Sequence, residues 1–266
     1  MLIAKITTPV MGLLFLAVSG APQSAPVFRP QPFEAQFALE VRGFTVGETL
    51  WRLQLVSDGL IYEARTEAVG IAAMLGSRRV VERSEWKRIG DDLKPARYRY
   101  ERSDRSDKNT AVVFDWDNGV VQNTRRGQTS RMSVPNDTLD KLGYILMLRE
   151  DLRAGMRSFR YHIADGKNRM KIYDFKVVGE ERMNTALGKI KVLKLIRDRD
   201  DDERETTIWV APSLEFMPVR LQHREPDGDD VTITIRSLSL KSMAEIRSAE
   251  GVEPRTRSGP LPDDRH

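Results

Sequence analysis

The sequence predicts a mainly β protein, built as a large curved antiparallel sheet or a partly closed β-barrel with one central helix. From residue 33 onward, most segments alternate apolar and polar residues with a period of two, as in Phe33 to Val41, where the odd positions are apolar. Turn signals such as Asp117-Asn118-Gly119 separate these segments. One stretch, Pro135 to Gly155, has apolar residues at helical spacing instead.

The alternating segments predict about fourteen strands, eight before the helix and six after it. The first eight are Phe33 to Val41, Glu48 to Val56, Leu60 to Ala68, Val80 to Trp86, Ala96 to Glu101, Ala111 to Trp116, Val120 to Arg125 and Gln128 to Val134. The other six are Ser158 to Ala164, Arg169 to Val178, Lys189 to Arg197, Glu205 to Val210, Pro218 to Arg224 and Val231 to Leu240. Because the turns are short, we expect successive strands to be neighbours in the sheet.

The helical stretch shows both a start signal and an apolar face. Asn136 or Asp137 is expected to cap its first amides. The apolar residues recur at intervals of three and four: Leu139, Leu142, Ile145, Leu146 and Leu152. We expect Leu142, Ile145 and Leu146 to pack against the sheet and Arg149 to lie in solvent.

The N-terminus predicts export. Lys5 precedes the apolar run Val10 to Val18, and Ser19 to Ala21 are small, which is the order of a secretory signal peptide. We assign residues 1–20 to the signal peptide, with cleavage near Gly20. The apolar run rises only ~13 Å as a helix, too short for a hydrocarbon core of ~30 Å, so no permanent membrane anchor is predicted. The mature protein is therefore expected in the periplasm.

The remaining chain divides into three parts. Residues 21–32 contain four prolines and are expected to form an extended leader. Residues 33–240 form a single β domain. Residues 241–266 lose periodicity and end in a charged segment with Pro and Gly, which predicts a disordered tail.

Composition excludes several classes of protein. Hydrophobic residues make up 40% and charged residues 31% of the 266 residues, which fits a soluble domain with a core rather than a multi-span membrane protein. The formal charge of +4 arises from 43 basic against 39 acidic residues, so no basic patch for nucleic acid is predicted. With no cysteine, disulfides, thiolate metal sites and a lipid anchor on cysteine are excluded.

The usual signatures of catalysis are weak. Gly76-Ser77 lacks the second glycine of a nucleophile elbow. Asp198 to Glu203 has Asp at alternate positions, as a calcium loop does, but the sixth and twelfth places hold Glu203 and Trp209, and we interpret it as a solvated hairpin turn. His162 and His223 lie in separate predicted strands. No catalytic residue, metal site or cofactor is predicted.

Aromatic residues on the first strands could all point to one interior. Packing within a core is the simpler explanation for them, and the lining of a ligand cavity is the alternative, because large antiparallel barrels leave space that side chains need not fill. The candidate ligand-binding residues are Trp51, Tyr62, Trp86 and Tyr98.

Several motifs in their order resemble the exported bacterial domain-of-unknown-function 3108 family. They are Asn136 to Arg149; Val178-Gly179-Glu180 with Thr185 to Gly188; and Trp209-Val210 with Met217 to Arg220. The resemblance covers about Phe33 to Leu240. It implies a periplasmic, largely antiparallel, partly closed barrel, and it implies no catalytic residues.

Three functions follow as hypotheses. The first is an exported, non-catalytic binding or chaperone-like module whose partner is a lipid, an acyl ligand or an envelope protein. The second is a structural or protein-interaction module with a packed core that acts through exposed strand edges. An envelope hydrolase ranks last, because it would need two carboxylates opposed across a cleft and the sequence singles out no pair.

Overall fold

The computed structural model describes residue 28 and residues 30–74, 78–197, 205–224 and 230–240. The predicted signal peptide, most of the predicted leader, the predicted tail from residue 241 and the acidic segment Asp198 to Glu203 therefore lie outside the described residues. Within the described part, no helix is both long enough and apolar enough to cross a membrane.

Fifteen strands and two α-helices make up the described fold. Before the main helix the elements are β1 Phe33–Val41, β2 Phe44–Val56, β3 Gly59–Ala68, α1 Gly70–Met74, β4 Arg79–Ile89, β5 Asp92–Arg102, β6 Thr110–Asp115, β7 Val120–Arg125, β8 Gln128–Ser133 and β9 Leu139–Asp140. The main helix and the elements after it are α2 Tyr144–Arg153, β10 Ser158–Ala164, β11 Met170–Thr185, β12 Gly188–Arg197, β13 Glu205–Ala211, β14 Met217–Arg224 and β15 Asp230–Leu240.

All fifteen strands belong to one sheet whose order nearly follows the chain. The order is β8-β7-β6-β5-β4-β3-β2-β1-β15-β14-β13-β12-β11-β10-β9, so the pairing of β1 with β15 joins two meanders. Every pair is antiparallel except β9 with β10. One cluster of buried side chains draws on both meanders, and the sheet curves around it without closing, since β8 and β9 remain at its two ends. The predicted fold class is confirmed.

The period-two pattern places side chains as expected. In β3 the side chains of Leu60, Tyr62 and Ala64 are buried, while the intervening residues are more exposed. Short turns join neighbouring strands. Gly119, between β6 and β7, has a φ of 62°, a conformation in which a side chain would be strained.

The main helix begins later than predicted. Asn136 and Asp137 do not cap it: Leu139–Asp140 forms strand β9 beside β10, and α2 begins at Tyr144 after Gly143 at the N-cap. The spacing of Leu139 and Leu142 imitates a helix, but the segment pairs with β10 through its backbone instead. The five-residue helix Gly70–Met74 was not predicted either.

The buried face of α2 includes an arginine. Leu142, Ile145 and Leu146 are buried as predicted, but the prediction that Arg149 lies in solvent is wrong, because its side chain is only 4% exposed. Its Nε donates a hydrogen bond to the Glu215 carbonyl at 3.1 Å, and its guanidinium carbon lies 4.9 Å from the centre of the Phe33 ring. These contacts compensate in part for the free energy cost of burying its guanidinium group.

Candidate ligand-binding site

A pocket of about 670 Å³ opens where the β4–β5 hairpin meets the segment before α2 and strand β10. We call it the Trp86 pocket. Aromatic and aliphatic side chains from well-separated parts of the chain line it, among them Trp86, Leu93, Trp116, Leu139, Met147 and Tyr161. The curvature of the sheet brings these elements together, because β4 and β10 lie far apart in the strand order.

A buried hydrogen-bond chain fixes the indole of Trp86. Its Nε1 donates to Ser84 Oγ at 2.7 Å, and Ser84 Oγ donates to Asp140 Oδ2 at 2.5 Å. Ser84 and Asp140 are both fully buried. The chain links β4 to the segment that leads into α2, so the ring is held in one orientation.

Asp140 also organises the start of the helix. Its Oδ1 accepts hydrogen bonds from the backbone N–H groups of Leu142 at 2.9 Å and Gly143 at 2.7 Å. These bonds favour the carboxylate, but burial outweighs them and raises the pKa of Asp140 to about 6. The side chain thus changes its charge near neutral pH while it holds Trp86 and α2 together.

The other aromatic side chains of the pocket are held as well. Trp116 Nε1 donates to the Pro95 carbonyl at 2.7 Å, and Lys94 Nζ lies 5.1 Å from the centre of the Trp116 ring. The hydroxyl of Tyr161 donates to Asp151 Oδ2 at 2.7 Å. The polar ends of these rings are therefore satisfied by the protein, which leaves their apolar surfaces for a ligand.

Opposite charges balance around the pocket. Its ionisable side chains are three cations and three carboxylates: Arg88, Lys94, Arg160, Asp91, Asp92 and Asp137. Arg160 forms two hydrogen bonds with Asp174, at 2.7 and 3.0 Å, and Asp137 lies 3.0 Å from Nδ1 of His162. The rim therefore offers polar contacts without a net charge beside the apolar side chains of the wall.

One aromatic residue of the leader reaches the same pocket. Phe28 lines it, and its ring centre lies 5.5 Å from that of Trp86. An aromatic ring thus already packs against this wall, which shows that the surface accepts apolar groups from outside the sheet.

The four predicted site residues separate into two groups. Trp86 lines the pocket, whereas Trp51, Tyr62 and Tyr98 are not among its lining residues and are buried in the core. The ring centre of Trp51 lies 4.6 Å from that of Phe37 and 6.1 Å from that of Tyr62. The Tyr98 hydroxyl donates to Glu82 at 2.5 Å. Ligand contact by any of the four stays a prediction.

Sequence reasoning missed several residues of the site. Met147 and Tyr161 were not singled out, since each fits an ordinary amphipathic pattern. Ser84 and Asp140 were missed as well, although Asp140 interrupts an apolar pattern just before Leu142 and could have drawn attention as a polar residue at a core position.

The two histidines in the described part of the chain occupy ordinary structural positions. His162 faces Asp137, and Nδ1 of His223 lies 2.9 Å from the Thr206 hydroxyl in the neighbouring strand. In the described part of the chain, no three or more His, Cys, Asp or Glu side chains are grouped so that they could hold a metal ion.

Fold and pocket together define a mainly β protein with one large curved sheet and a pocket lined by apolar and polar residues. The chain belongs to the family described as protein of unknown function (DUF3108), whose model matches residues 33–236. Its fold is similar to a solved beta-barrel-like protein of domain of unknown function DUF1849 from Brucella abortus, with a TM-score of 0.55 and 12% identity over 80% of this chain and 99% of that chain. No curated protein matches the sequence.

Proposed function

We propose that this protein is an exported periplasmic module that shelters an apolar ligand in the Trp86 pocket and does not alter it chemically. The ligand would be an acyl chain or an apolar segment of an envelope protein. The observation that carries the proposal is the pocket itself, in which aromatic and aliphatic side chains lie beside a charge-balanced rim and the polar atoms of three rings are already bonded to the protein.

The dimensions of the pocket support this proposal. A volume of about 670 Å³ lies within the range of ~300 to 1,000 Å³ that is typical of small-molecule sites. The held orientation of Trp86 lowers the entropic cost of binding, because the ring does not need to be ordered by the ligand. Export is supported by the signal-like residues 1–20.

Filling the pocket with protein atoms tests the proposal. Met147 is half-buried and lines the pocket, so Met147→Trp would occupy ligand space with an apolar side chain. We expect a fluorescent fatty acid to bind the wild-type protein saturably and to bind Met147→Trp at least about tenfold more weakly. The matched control is Met156→Trp, because Met156 is 46% exposed and lies outside the pocket.

Thermal unfolding of both variants shows whether the fold is retained. If a folded Met147→Trp protein bound the fatty acid as tightly as wild type, the Trp86 pocket would not be the site. If the wild-type protein showed no saturable binding, the acyl-chain form of the proposal would fail.

A second candidate function is a structural or protein-interaction module. The tight packing of Trp51, Phe37 and Tyr62 favours it, because it leaves the centre of the barrel filled. Strand β8 also lies at one end of the sheet order and could accept a strand from a partner. Capture of one envelope protein by the wild type, lost when the exposed residue Arg131 in β8 is replaced by proline, would support this candidate.

A further inference from the structure

A second pocket of about 590 Å³ lies between the end strands β7 and β8 and the turn that joins β10 to β11. We call it the seam pocket, because it lies where the two meanders approach each other without pairing. Its lining is polar and includes Asn123, Arg125, Arg126, Ser130 and Lys167. It shares no lining residue with the Trp86 pocket.

The side chain of Asn123 is buried without hydrogen bonds. It is only 2% exposed, and neither Oδ1 nor Nδ2 has a hydrogen-bond partner among the described residues. Leaving such a buried group unpaired costs about 1 to 3 kcal/mol, and native proteins rarely tolerate it. An amide held in this way at the wall of a pocket indicates that a polar ligand completes its bonding.

Cations surround the amide without a carboxylate in the pocket wall. Arg125, Arg126 and Lys167 line the pocket, and no Asp or Glu does. Nε of Arg125 is buried and has no hydrogen-bond partner among the described residues. Partial desolvation is the main reason why the pKa of Lys167 is lowered; the charge of Lys141 adds to this effect and the charge of Asp165 opposes it.

The nearest carboxylates are held by other groups. Asp165 accepts hydrogen bonds from Nε of Arg169 at 3.0 Å and from the backbone N–H of Lys167 at 2.7 Å. Asp107 accepts hydrogen bonds from Arg105 at 3.0 Å and from Arg126 at 3.4 Å, so Arg126 is already ion-paired and the charge left for a ligand comes from Arg125 and Lys167. Neither carboxylate is a lining residue of the pocket, so its positive charge is not neutralised from within.

We propose that the seam pocket binds the oxyanion group of a ligand, a phosphate or a carboxylate. The guanidinium of Arg125, the ammonium of Lys167 and the amide Nδ2 of Asn123 are all donors, as is the hydroxyl of Ser130. Charge-assisted hydrogen bonds of this kind are the strong ones. The group supplies the acceptors that Nδ2 of Asn123 and Nε of Arg125 lack, while Oδ1 of Asn123 needs a donor, which a protonated oxygen of a phosphate monoanion provides.

Titration with inorganic phosphate tests this site. We expect saturable binding in calorimetry, and at least about tenfold weaker binding by Arg125→Gln and by Lys167→Gln. The matched control is Arg131→Gln, which removes the same charge from an exposed residue of β8 that does not line the pocket. Thermal unfolding confirms that each variant is folded, and Lys167→Gln keeps the test valid if Arg125→Gln does not fold.

A second arm separates the sources of the oxyanion. Binding to phosphatidylglycerol vesicles over phosphatidylcholine vesicles that requires Lys167 assigns the site to a lipid headgroup. Binding of phosphate, but not of these vesicles, assigns it to a soluble ligand. Absence of binding in both arms, or an equal loss in Arg131→Gln, overturns the proposal. None of these outcomes depends on the Trp86 pocket, which Met147→Trp tests by itself.

Discussion

The backbone of Gly143 lies directly against the indole of Trp86. A Cβ atom at residue 143 would stand 2.7 Å from Cζ2 of the ring, closer than real Cβ contacts. The backbone carbonyl of Trp86 likewise leaves no room for a Cβ at Gly59 in the neighbouring strand β3. Ring and backbone of Trp86 therefore each lie against a glycine that excludes a side chain, and the contact with Gly143 joins β4 to the start of α2.

The Gly143→Ala variant should be less stable than wild type. Its added methyl group would displace a ring that is also fixed by Ser84, and such overpacking typically costs about 1 to 3 kcal/mol. Urea unfolding measures the loss. Gly179→Ala is the control, because a Cβ there meets nothing within 4 Å; equal stability of the two variants would contradict the close contact.

Asp140 should make the free energy of unfolding decrease as the pH rises. Burial raises its pKa to about 6 in the folded protein, from an ordinary 3.8, so between these values the folded state holds a proton that the unfolded state has lost. Its contribution is largest near pH 4 and is lost above pH 6, with a magnitude on the order of 3 kcal/mol. Urea unfolding at pH 4 and at pH 7 should show a smaller decrease in the free energy of unfolding for Asp140→Asn than for the wild type.

The control for this pH effect is Asp174→Asn. The hydrogen bond from Arg160 lowers the pKa of Asp174, so that carboxyl stabilises the fold above its ordinary pKa and loses this effect only as the pH falls. Replacing Asp174 should leave the decrease between pH 4 and pH 7 in place. If the wild-type protein gained stability relative to Asp140→Asn between pH 4 and pH 7, the assignment of the pH effect to Asp140 would be contradicted.

The loss of stability on replacing Arg149 should depend on the volume of the new side chain. Burial lowers the pKa of Arg149 to about 10, so burying its charge opposes folding, while its stem fills the core beside Phe33. We expect Arg149→Ala to cost about 2 to 5 kcal/mol and Arg149→Met less than about 1.5 kcal/mol. Arg153→Ala, which breaks exposed ion pairs, should cost about 1 kcal/mol or less in the same unfolding assay. Equal losses in the Ala and Met variants would show that the charge dominates.

Substitutions of Trp51 and of Trp86 should differ in their effect on ligand binding. Trp51 packs within the core, so Trp51→Ala should cost about 3 to 5 kcal/mol, and Trp51→Phe should leave the affinity for a fluorescent fatty acid unchanged. Trp86→Phe loses the bond to Ser84 and changes the pocket wall, so it should weaken binding. Weaker binding in Trp51→Phe alone would place the ligand in the barrel interior.

The mature protein should begin near Ala21 and be released with the periplasmic fraction. The apolar run Val10 to Val18 followed by small residues gives the reason, together with the absence of a cysteine for lipid attachment. N-terminal sequencing after fractionation checks this. Recovery of a chain that starts at Met1 in the membrane pellet would contradict it.

Sequence alone predicted most of the strands, because a strand needs only local alternation and a turn. Segments such as Leu60 to Ala68 carry both signals, and the structure places β3 at Gly59–Ala68. The pairing of successive strands was predicted in the same way, because the turns between them are short. The buried positions Leu142 and Leu146 were also predictable, since apolar spacing on a helix defines one face.

The features that the sequence determined are thus the local ones: an alternating β chain with one amphipathic helix. Tertiary structure alone decided where α2 begins, because pairing of Leu139–Asp140 with β10 ends the helical pattern before Tyr144. It also decided that Arg149 is buried, since Glu215 and Phe33 come from distant strands and turns. Both pockets depend on curvature that brings remote strands together, and no periodicity along the chain encodes which remote side chains will meet.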